Sequence, residues 1–148
     1  MTDTSMTRST PWHLWVVGLL AVLWNAYGCV DFTMTHLQGD AWLRSMKMTD
    51  AQIALMHAMP AWTWVVWAVG VWGGMLGAVL LLLRRKWALP VFVVSFLGFI
   101  GGLIYSYGLS DAAASMGPNA WVMNVVIGAA CLFFIWYAWT MDKKGVLR

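Results

Sequence analysis

The chain has 148 residues, of which 61% are hydrophobic and only 10% carry a charge, and it contains no glutamate. A soluble domain usually has about a quarter of its residues charged, so this composition excludes a domain that exposes its whole surface to water. The formal net charge is +3, and no basic stretch is long enough to indicate a nucleic-acid partner. The partner that the composition predicts is the lipid bilayer.

Four apolar segments are long enough to cross a membrane as helices, which takes about 20 residues each. They cover residues 12–32, 62–83, 88–109 and 120–141. Each must be helical, because an open segment in lipid can satisfy its backbone groups only within itself. The first segment is longer than the apolar core of a signal peptide, so we expect it to remain as a span. We therefore predict an all-α membrane protein, a four-transmembrane-helix bundle in one integral domain over residues 1–148.

The basic residues lie mostly on one side of these segments. Seven of the nine Lys and Arg residues are at the N-terminus, between the second and third spans, or at the C-terminus. They are Arg8, Arg84, Arg85, Lys86, Lys143, Lys144 and Arg148. Because positive charge marks the cytoplasmic side, both termini are predicted in the cytoplasm. An even number of spans also requires the termini to share a side.

The predicted outer loop, residues 33–61, is the one sizeable segment outside the membrane. Within it, Thr49-Asp50-Ala51-Gln52 has the pattern of a capping box, which starts a helix. Ile53 and Met56 then recur at helical spacing, and Pro60 follows. We predict a short amphipathic helix on the outer membrane surface, ended by the proline.

The ends of the first and third spans have similar sequences. The first closes with Tyr27-Gly28-Cys29-Val30-Asp31 and the third with Tyr107-Gly108-Leu109-Ser110-Asp111. Two helical hairpins in parallel repeat, an arrangement found in some transporters, would explain this match. Short aromatic matches also arise by chance in apolar sequence, so both explanations stay open.

Small residues follow one face of each predicted helix, where they let membrane helices approach closely. The predicted helix-packing positions are Gly70, Gly73, Gly74, Gly77, Gly98, Gly102 and Gly128. We expect these faces to point inward and the bulky side chains to face lipid. The same glycine faces would equally serve a homo-oligomer or contact with a larger membrane-protein complex.

Two aspartates are the strongest candidates for a functional site. Asp31 and Asp111 are predicted at the outer C-terminal ends of two spans, where the helix macrodipole disfavours an anion by about a few tenths of a kcal/mol. With Tyr27 and Tyr107 nearby, the functional interpretation is a cation, proton or polar-solute site at the outer mouth. The structural interpretation is that the carboxylates accept hydrogen bonds from the outer helix N-termini or pair with a basic residue of the outer loop.

Two amides lie within the predicted spans, Asn25 in the first and Asn124 in the fourth. An amide in hydrocarbon normally forms an interhelical hydrogen bond worth about 1 kcal/mol or less. We interpret both as structural contacts, with a position lining a solute path as the alternative. No ionisable residue lies near the midplane of a span, which argues against ion-coupled transport.

No catalytic motif stands out in the sequence. There is no His-Glu pair at zinc-protease spacing, no phosphate-binding loop and no Ser-His-Asp set within reach. His36 and His57 share the outer loop with several methionines, which are soft metal ligands, but their spacing is not typical of a metal site. We expect no enzyme, no metal and no cofactor.

Several stretches along nearly the whole chain resemble a family of small four-span bacterial membrane proteins. They include Pro11-Trp12-His13-Leu14-Trp15, Leu23-Trp24-Asn25, Trp67-Ala68-Val69-Gly70-Val71-Trp72-Gly73 and Lys144-Gly145-Val146-Leu147-Arg148. Some members of that family are labelled "sugar transporter". The resemblance implies a four-span topology, a bacterial inner-membrane location and, through that label, transport. It carries over no functional residues.

Two classes of function follow from these observations. The first is a non-catalytic accessory or interaction subunit, which the glycine faces, the compact loops and the missing midplane charges favour. The second is a small-solute, sugar-like transporter, which would act as an oligomer because four spans enclose little space. A transporter should have a polar or aromatic cavity that Asn25 or Asn124 faces. An accessory subunit should have a filled core and an exposed stripe of small residues.

Overall fold

The protein is built from helices, as the sequence predicts. The computed structural model describes residues 10–110, 112–115 and 117–148. Within those ranges the chain forms no strand, and four helices are long and apolar enough to cross a membrane. They are α1 (Trp12–Gln38), α4 (Ala61–Leu82), α5 (Ala88–Ile104) with a π-helix at its end (Tyr105–Leu109), and α7 (Ala120–Lys143). The predicted all-α, four-helix membrane fold is confirmed.

The first helix is longer than the predicted span, which ended at Phe32, and polar side chains near its end bond back into the helix. Three of them donate to the carbonyl oxygen one turn earlier, which satisfies these polar groups within the helix itself. The pairs are Thr33 to Cys29 at 2.7 Å, Thr35 to Asp31 at 2.7 Å, and His36 Nδ1 to Phe32 at 2.8 Å. Gly39, at φ 56°, ends the helix. The helix therefore extends six residues into the segment predicted as the outer loop.

The loop that follows holds two short helices, α2 (Asp40–Ser45) and α3 (Asp50–His57). The second begins with the predicted capping box. The Thr49 hydroxyl accepts from the backbone N–H of Gln52 at 3.2 Å, and the Gln52 side chain accepts from the backbone N–H of Thr49 at 2.9 Å. That prediction is confirmed, whereas α2 has no counterpart among the predicted elements.

Two exposed ionic contacts join the short helices. His57 Nε2 lies 2.7 Å from the Asp40 carboxylate, and the Arg44 guanidinium lies 3.7 Å from the Asp50 carboxylate. A third short helix, α6 (Ala112–Ser115), lies beside α3, since the Gln52 amide donates to the Ser115 carbonyl at 3.0 Å. The loops therefore form a small helical layer at one end of the bundle, which we call the loop end.

The opposite end is the basic end, which carries Thr10, the turn at residues 83–87 and the segment 144–148. Most of the buried core lies toward this end. Its members are Leu14, Ala21, Ala78, Leu81, Ala88, Phe92, Phe134, Tyr137, Ala138, Met141, Val146 and Leu147. His13 Nδ1 lies 2.5 Å from the Tyr137 hydroxyl, and this contact connects α1 to α7. The bundle is thus closed at the basic end.

The long helices pack in chain order, α1 on α4, α4 on α5 and α5 on α7. Small residues meet bulky ones at these interfaces. A Cβ on Gly28 of α1 would lie 3.0 Å from Val71 of α4, and a Cβ on Gly77 of α4 would lie 2.7 Å from the Phe92 ring of α5. Close approach of this kind replaces the hydrophobic effect, which lipid does not supply between membrane helices.

The two segments with matching sequences have different backbones. Tyr27 and Gly28 lie within the regular α-helix α1, whereas Tyr107 and Gly108 lie in the π-helix that ends α5. A π-turn carries one extra residue and changes the direction in which the following side chains project. The two hairpins therefore differ at the positions on which the proposed repeat depends.

Candidate functional site

Asn25 lies in the interface between α1 and α4. Its Nδ2 donates to the Ala21 carbonyl at 2.8 Å, one turn back on its own helix. Its Oδ1 lies against Gly74, so close that a Cβ at that glycine would overlap it. The amide donor is therefore satisfied within α1, and the side chain fills the space that Gly74 leaves empty.

Ser95 of α5 supplies the interhelical hydrogen bond at the same level of the bundle. Its hydroxyl donates to the Gly70 carbonyl of α4 at 2.6 Å, and the residue is only 6% exposed. A Cβ on Gly74 would also lie 3.3 Å from the Ser95 Oγ. Three helices thus meet at one polar site, which we call the Asn25 junction (Asn25, Gly70, Gly74 and Ser95). Ser95 was not among the predicted site residues, although it shares a helix face with Gly98.

Most of the predicted packing glycines are used inside the chain. Gly70, Gly73, Gly74, Gly77 and Gly98 all lie where α4 meets α1 or α5. A Cβ on Gly98, for example, would lie 2.9 Å from the Val66 carbonyl oxygen. Gly128 of α7 faces the Phe99 ring at 3.4 Å, and a Cβ on Gly102 would have no described atom within 4 Å. The glycine faces of α4 are therefore not free for a partner.

Asp31 lies two turns inside α1, because that helix runs on to Gln38. The prediction that Asp31 closes the helix is wrong, and the unfavourable macrodipole does not reach it because the effect is confined to the last turn. One carboxylate oxygen accepts a hydrogen bond from Trp42 Nε1 at 2.8 Å. The carboxylate thus fixes α2 against α1, through a partner that nothing in the sequence indicated. Asp111 lies outside the described residues, so the pairing of the two aspartates stays a prediction.

Asn124 and Tyr107 are brought together at the loop end. The Asn124 Nδ2 donates to the Tyr107 hydroxyl at 2.9 Å, which connects α7 to the π-helix. Tyr27, by contrast, lies on the surface of α1 with 66% of its area exposed. Of the predicted polar residues, the structure pairs only these two with each other, among those that it describes.

The fourth span is widely exposed over its loop-end half. Successive helix positions are about 100° apart, so five exposed side chains near the start of α7 cover an arc of about 200°, while Asn124, Ile127 and Gly128 on the remaining face are half-buried. These exposed residues are Trp121, Val122, Met123, Val125 and Val126. The helix touches α5 but has few contacts with α1. The helices α1 and α7 are therefore not packed directly against each other at the loop end.

The contact between His13 and Tyr137 indicates which faces of α1 and α7 turn toward each other. Eleven residues make about three full turns of a helix. Trp24 comes eleven residues after His13, and Val126 comes eleven residues before Tyr137, so each lies on the side that faces the other helix. We call the space the α1–α7 cleft and define it by Trp24 and Tyr27 on α1 and Met123 and Val126 on α7. All four side chains are exposed.

The described residues form no cluster of side chains that could hold a metal ion. Nowhere in residues 10–110, 112–115 and 117–148 do three His, Cys or Asp side chains lie close enough to hold a metal ion. The Asn25 junction is a packing site, because the Asn25 amide and the Ser95 hydroxyl both donate hydrogen bonds within the bundle.

Comparison with protein-family models, with curated proteins and with solved structures finds no match for this chain.

Proposed function

We propose that the protein is a non-catalytic interaction subunit of a larger membrane complex, and that its partner inserts a helix into the α1–α7 cleft. The observation that carries this proposal is the separation of α7 from α1 above a closed basic end. A four-helix bundle that functioned alone would be more stable if its own helices closed that opening. A partner helix would instead cover Trp24, Met123 and Val126, which are now exposed.

The glycines of α4 are used inside the chain, and this supports the same docking face. Membrane helices associate through small residues, and the glycines of α4 are already covered by α1 and α5. A partner therefore has to use another face. The cleft is the face on which two spans of the chain are both uncovered.

The polar groups beside the cleft favour a protein over lipid as its occupant. Asn124 uses one N–H for the Tyr107 hydroxyl, while an amide has a second N–H and an acceptor oxygen. Lipid tails offer no hydrogen bonds, whereas a neighbouring helix can offer a side chain or a carbonyl. A polar residue at the matching depth of the partner would complete this contact.

The proposed setting is a bacterial inner membrane, with the basic end in the cytoplasm. The charge distribution supports this orientation, since Arg84, Arg85 and Lys86 lie in one short turn at that end. The helical layer at the loop end would then face the outer side of the membrane. A partner with a domain on that side would meet α2 and α3 together with the cleft.

Site-specific photo-crosslinking in native membranes tests the proposal. A photoreactive amino acid at Val126 lies in the cleft, and one at Leu132 lies on a different face of the same helix, about 120° away, where it is also exposed. We expect Val126 to give a crosslink to a defined polypeptide, or to a second copy of the chain, and Leu132 to give none. Purification in mild detergent then identifies what was captured. Equal labelling from both positions would contradict the proposal.

The alternative is a small-solute, sugar-like transporter acting as an oligomer. The observation that favours it is the same cleft seen as a vestibule, closed at the basic end and lined by the aromatic rings of Trp24 and Tyr27. Aromatic faces can stack on sugar rings. Solute uptake into reconstituted vesicles tests this alternative, and it predicts that Trp24→Ala reduces uptake while Trp136→Ala, which changes another exposed tryptophan, does not. An inert, folded protein would argue against transport.

A further inference from the structure

The basic end is built by two helix endings of the same type. In α7, Gly145 at φ 73° donates to the Asp142 carbonyl at 3.0 Å, and Val146 donates to the Met141 carbonyl at 3.0 Å. This pair of bonds is the Schellman motif, which normally has glycine in the left-handed position. The chain then turns back, so that Val146 and Leu147 become buried against the bundle.

The end of α4 repeats this motif with an arginine in place of the glycine. Arg84, at φ 57°, donates to the Leu81 carbonyl at 3.0 Å, and Arg85 donates to the Leu80 carbonyl at 2.8 Å. A left-handed backbone costs a residue with a side chain about 1 kcal/mol, whereas glycine adopts it freely. Glycine would therefore form this turn more easily. What arginine adds is a guanidinium group.

Backbone hydrogen bonds hold the returning segment 144–148 against that turn. The Arg148 N–H donates to the Arg84 carbonyl at 2.6 Å, and the Lys86 N–H donates to the Arg148 carbonyl at 2.9 Å. The Arg84 guanidinium in addition donates to the Thr10 hydroxyl at 2.7 Å. Because Leu147 is buried at 2% exposure, the segment is anchored from both sides. The Arg148 side chain is thus placed beside two other arginines by the fold.

These residues surround an open pocket of about 210 Å³, lined by Leu83, Arg84, Arg85 and Arg148. Three arginines therefore contribute to its lining. Among the described residues, the Arg44–Asp50 ion pair and the His57–Asp40 contact lie at the loop end and include none of these arginines. Like charges brought together in this way repel each other unless an anion is bound between them.

We propose that this pocket binds a phosphate group, with the headgroup phosphate of an anionic phospholipid as its first source and a soluble phosphate as the second. Guanidinium groups bind phosphate through pairs of parallel hydrogen bonds. The position fits a headgroup, because the 22 residues of α4 span about 33 Å, which is close to the thickness of the hydrocarbon layer. The pocket follows directly after that helix, beside the apolar side chain of Leu83.

Membrane orientation alone does not account for this arrangement. The orientation of the protein in the membrane requires only that basic residues be more numerous on the cytoplasmic side. It does not depend on where their side chains point. It does not require a left-handed arginine, a returning segment tied to the turn by two hydrogen bonds, or a pocket lined by three arginines. Lys143 shows the contrast, because its ammonium group stacks on the Trp139 ring at 4.3 Å and does not line the pocket.

The test is a lipid titration of the full chain, purified in a non-ionic detergent and followed by native mass spectrometry. Phosphatidylglycerol is the probe, and phosphatidylcholine and inorganic phosphate are the parallel arms. We expect phosphatidylglycerol to bind roughly tenfold more tightly than phosphatidylcholine. Arg85→Gln and Arg148→Gln should each weaken its binding about tenfold. Lys143→Gln removes the same charge on the same side of the membrane and should change binding less than about twofold.

A second variant separates binding from folding. Arg84→Gly removes a guanidinium group but relieves the left-handed backbone, so its unfolding midpoint should stay level or rise while binding falls about tenfold. If inorganic phosphate binds with the same dependence on Arg85 and phosphatidylglycerol has no advantage, the pocket is a phosphate site for a soluble ligand. Equal losses in Lys143→Gln and Arg85→Gln would overturn the proposal, because they would reflect diffuse charge. Absence of binding in every arm would overturn it too.

Discussion

The side-chain oxygen of Asn25 occupies the space into which a side chain on Gly74 would project. Replacing Gly74 with alanine should therefore destabilise the bundle by about 1–3 kcal/mol, because overpacking forces neighbours out of their preferred rotamers. Unfolding of the purified protein in mixed micelles measures the change. The loss should be smaller when Asn25→Ala is present in the same chain.

Gly102→Ala is the matched control for this prediction. It makes the same change in a membrane helix, but a Cβ at Gly102 would have no described atom within 4 Å. We expect its effect to stay within about 0.5 kcal/mol. If Gly74→Ala proved as harmless as Gly102→Ala, the α1–α4 interface would not have the register described above.

The contact between His13 and Tyr137 closes the bundle across residues far apart in the chain. Tyr137→Phe removes the hydroxyl and keeps the ring, so it should cost about 1 kcal/mol of stability. A double-mutant cycle with His13→Ala should show that the two losses are not additive. Tyr27→Phe removes a hydroxyl from a tyrosine on the open surface of α1 and should have little effect. Additive losses would mean that the two side chains do not interact.

Asp31 acts as a hydrogen-bond acceptor for Trp42, and this role can be separated from a role for its charge. Asp31→Asn keeps an acceptor oxygen and should leave α2 in place. Trp42→Phe removes the donor and should release α2, which limited proteolysis of the loop would detect as faster cleavage. A site for a cation would give the reverse order, with Asp31→Asn as the damaging change and Trp42→Phe as the mild one.

The returning segment 144–148 should contribute to the stability of the whole basic end. Leu147 is almost fully buried, so Leu147→Ala should cost about 2–3 kcal/mol through lost burial and the cavity left behind. Leu37→Ala, at a position that is 76% exposed, is the control and should change stability by less than about 0.5 kcal/mol. Equal midpoints for the two variants would show that the segment is not packed as described.

The positions of the membrane helices follow from hydropathy because lipid tolerates no other arrangement of an apolar segment. The predicted second span, residues 62–83, differs from α4 by one residue at each end. Hydropathy does not predict the end of α1. There the helix continues beyond the apolar sequence, and threonine and histidine side chains bond to their own helix. The capping box at Thr49 was recognisable because all of its bonds are local.

The partners of the polar residues could not be predicted in the same way. Asn25 rests on Gly74, and Tyr137 meets His13, only because of the register in which distant helices pack. One sequence contains no information on that register beyond the stripe of small residues. The left-handed backbone of Arg84 could not be predicted from the sequence either, since glycine is the residue that normally indicates this conformation.

Labelling of single cysteines tests the central claim, that the chain crosses the membrane four times with its basic turn and C-terminal segment on the cytoplasmic side. In a background that carries Cys29→Ala and Cys131→Ala, the positions to compare are Arg85→Cys, Lys144→Cys and Ala51→Cys. A membrane-impermeant thiol reagent should label Ala51→Cys in intact cells, and should label the other two only after the membrane is opened. Labelling of Arg85→Cys and Ala51→Cys from the same side would contradict the topology and the docking face derived from it.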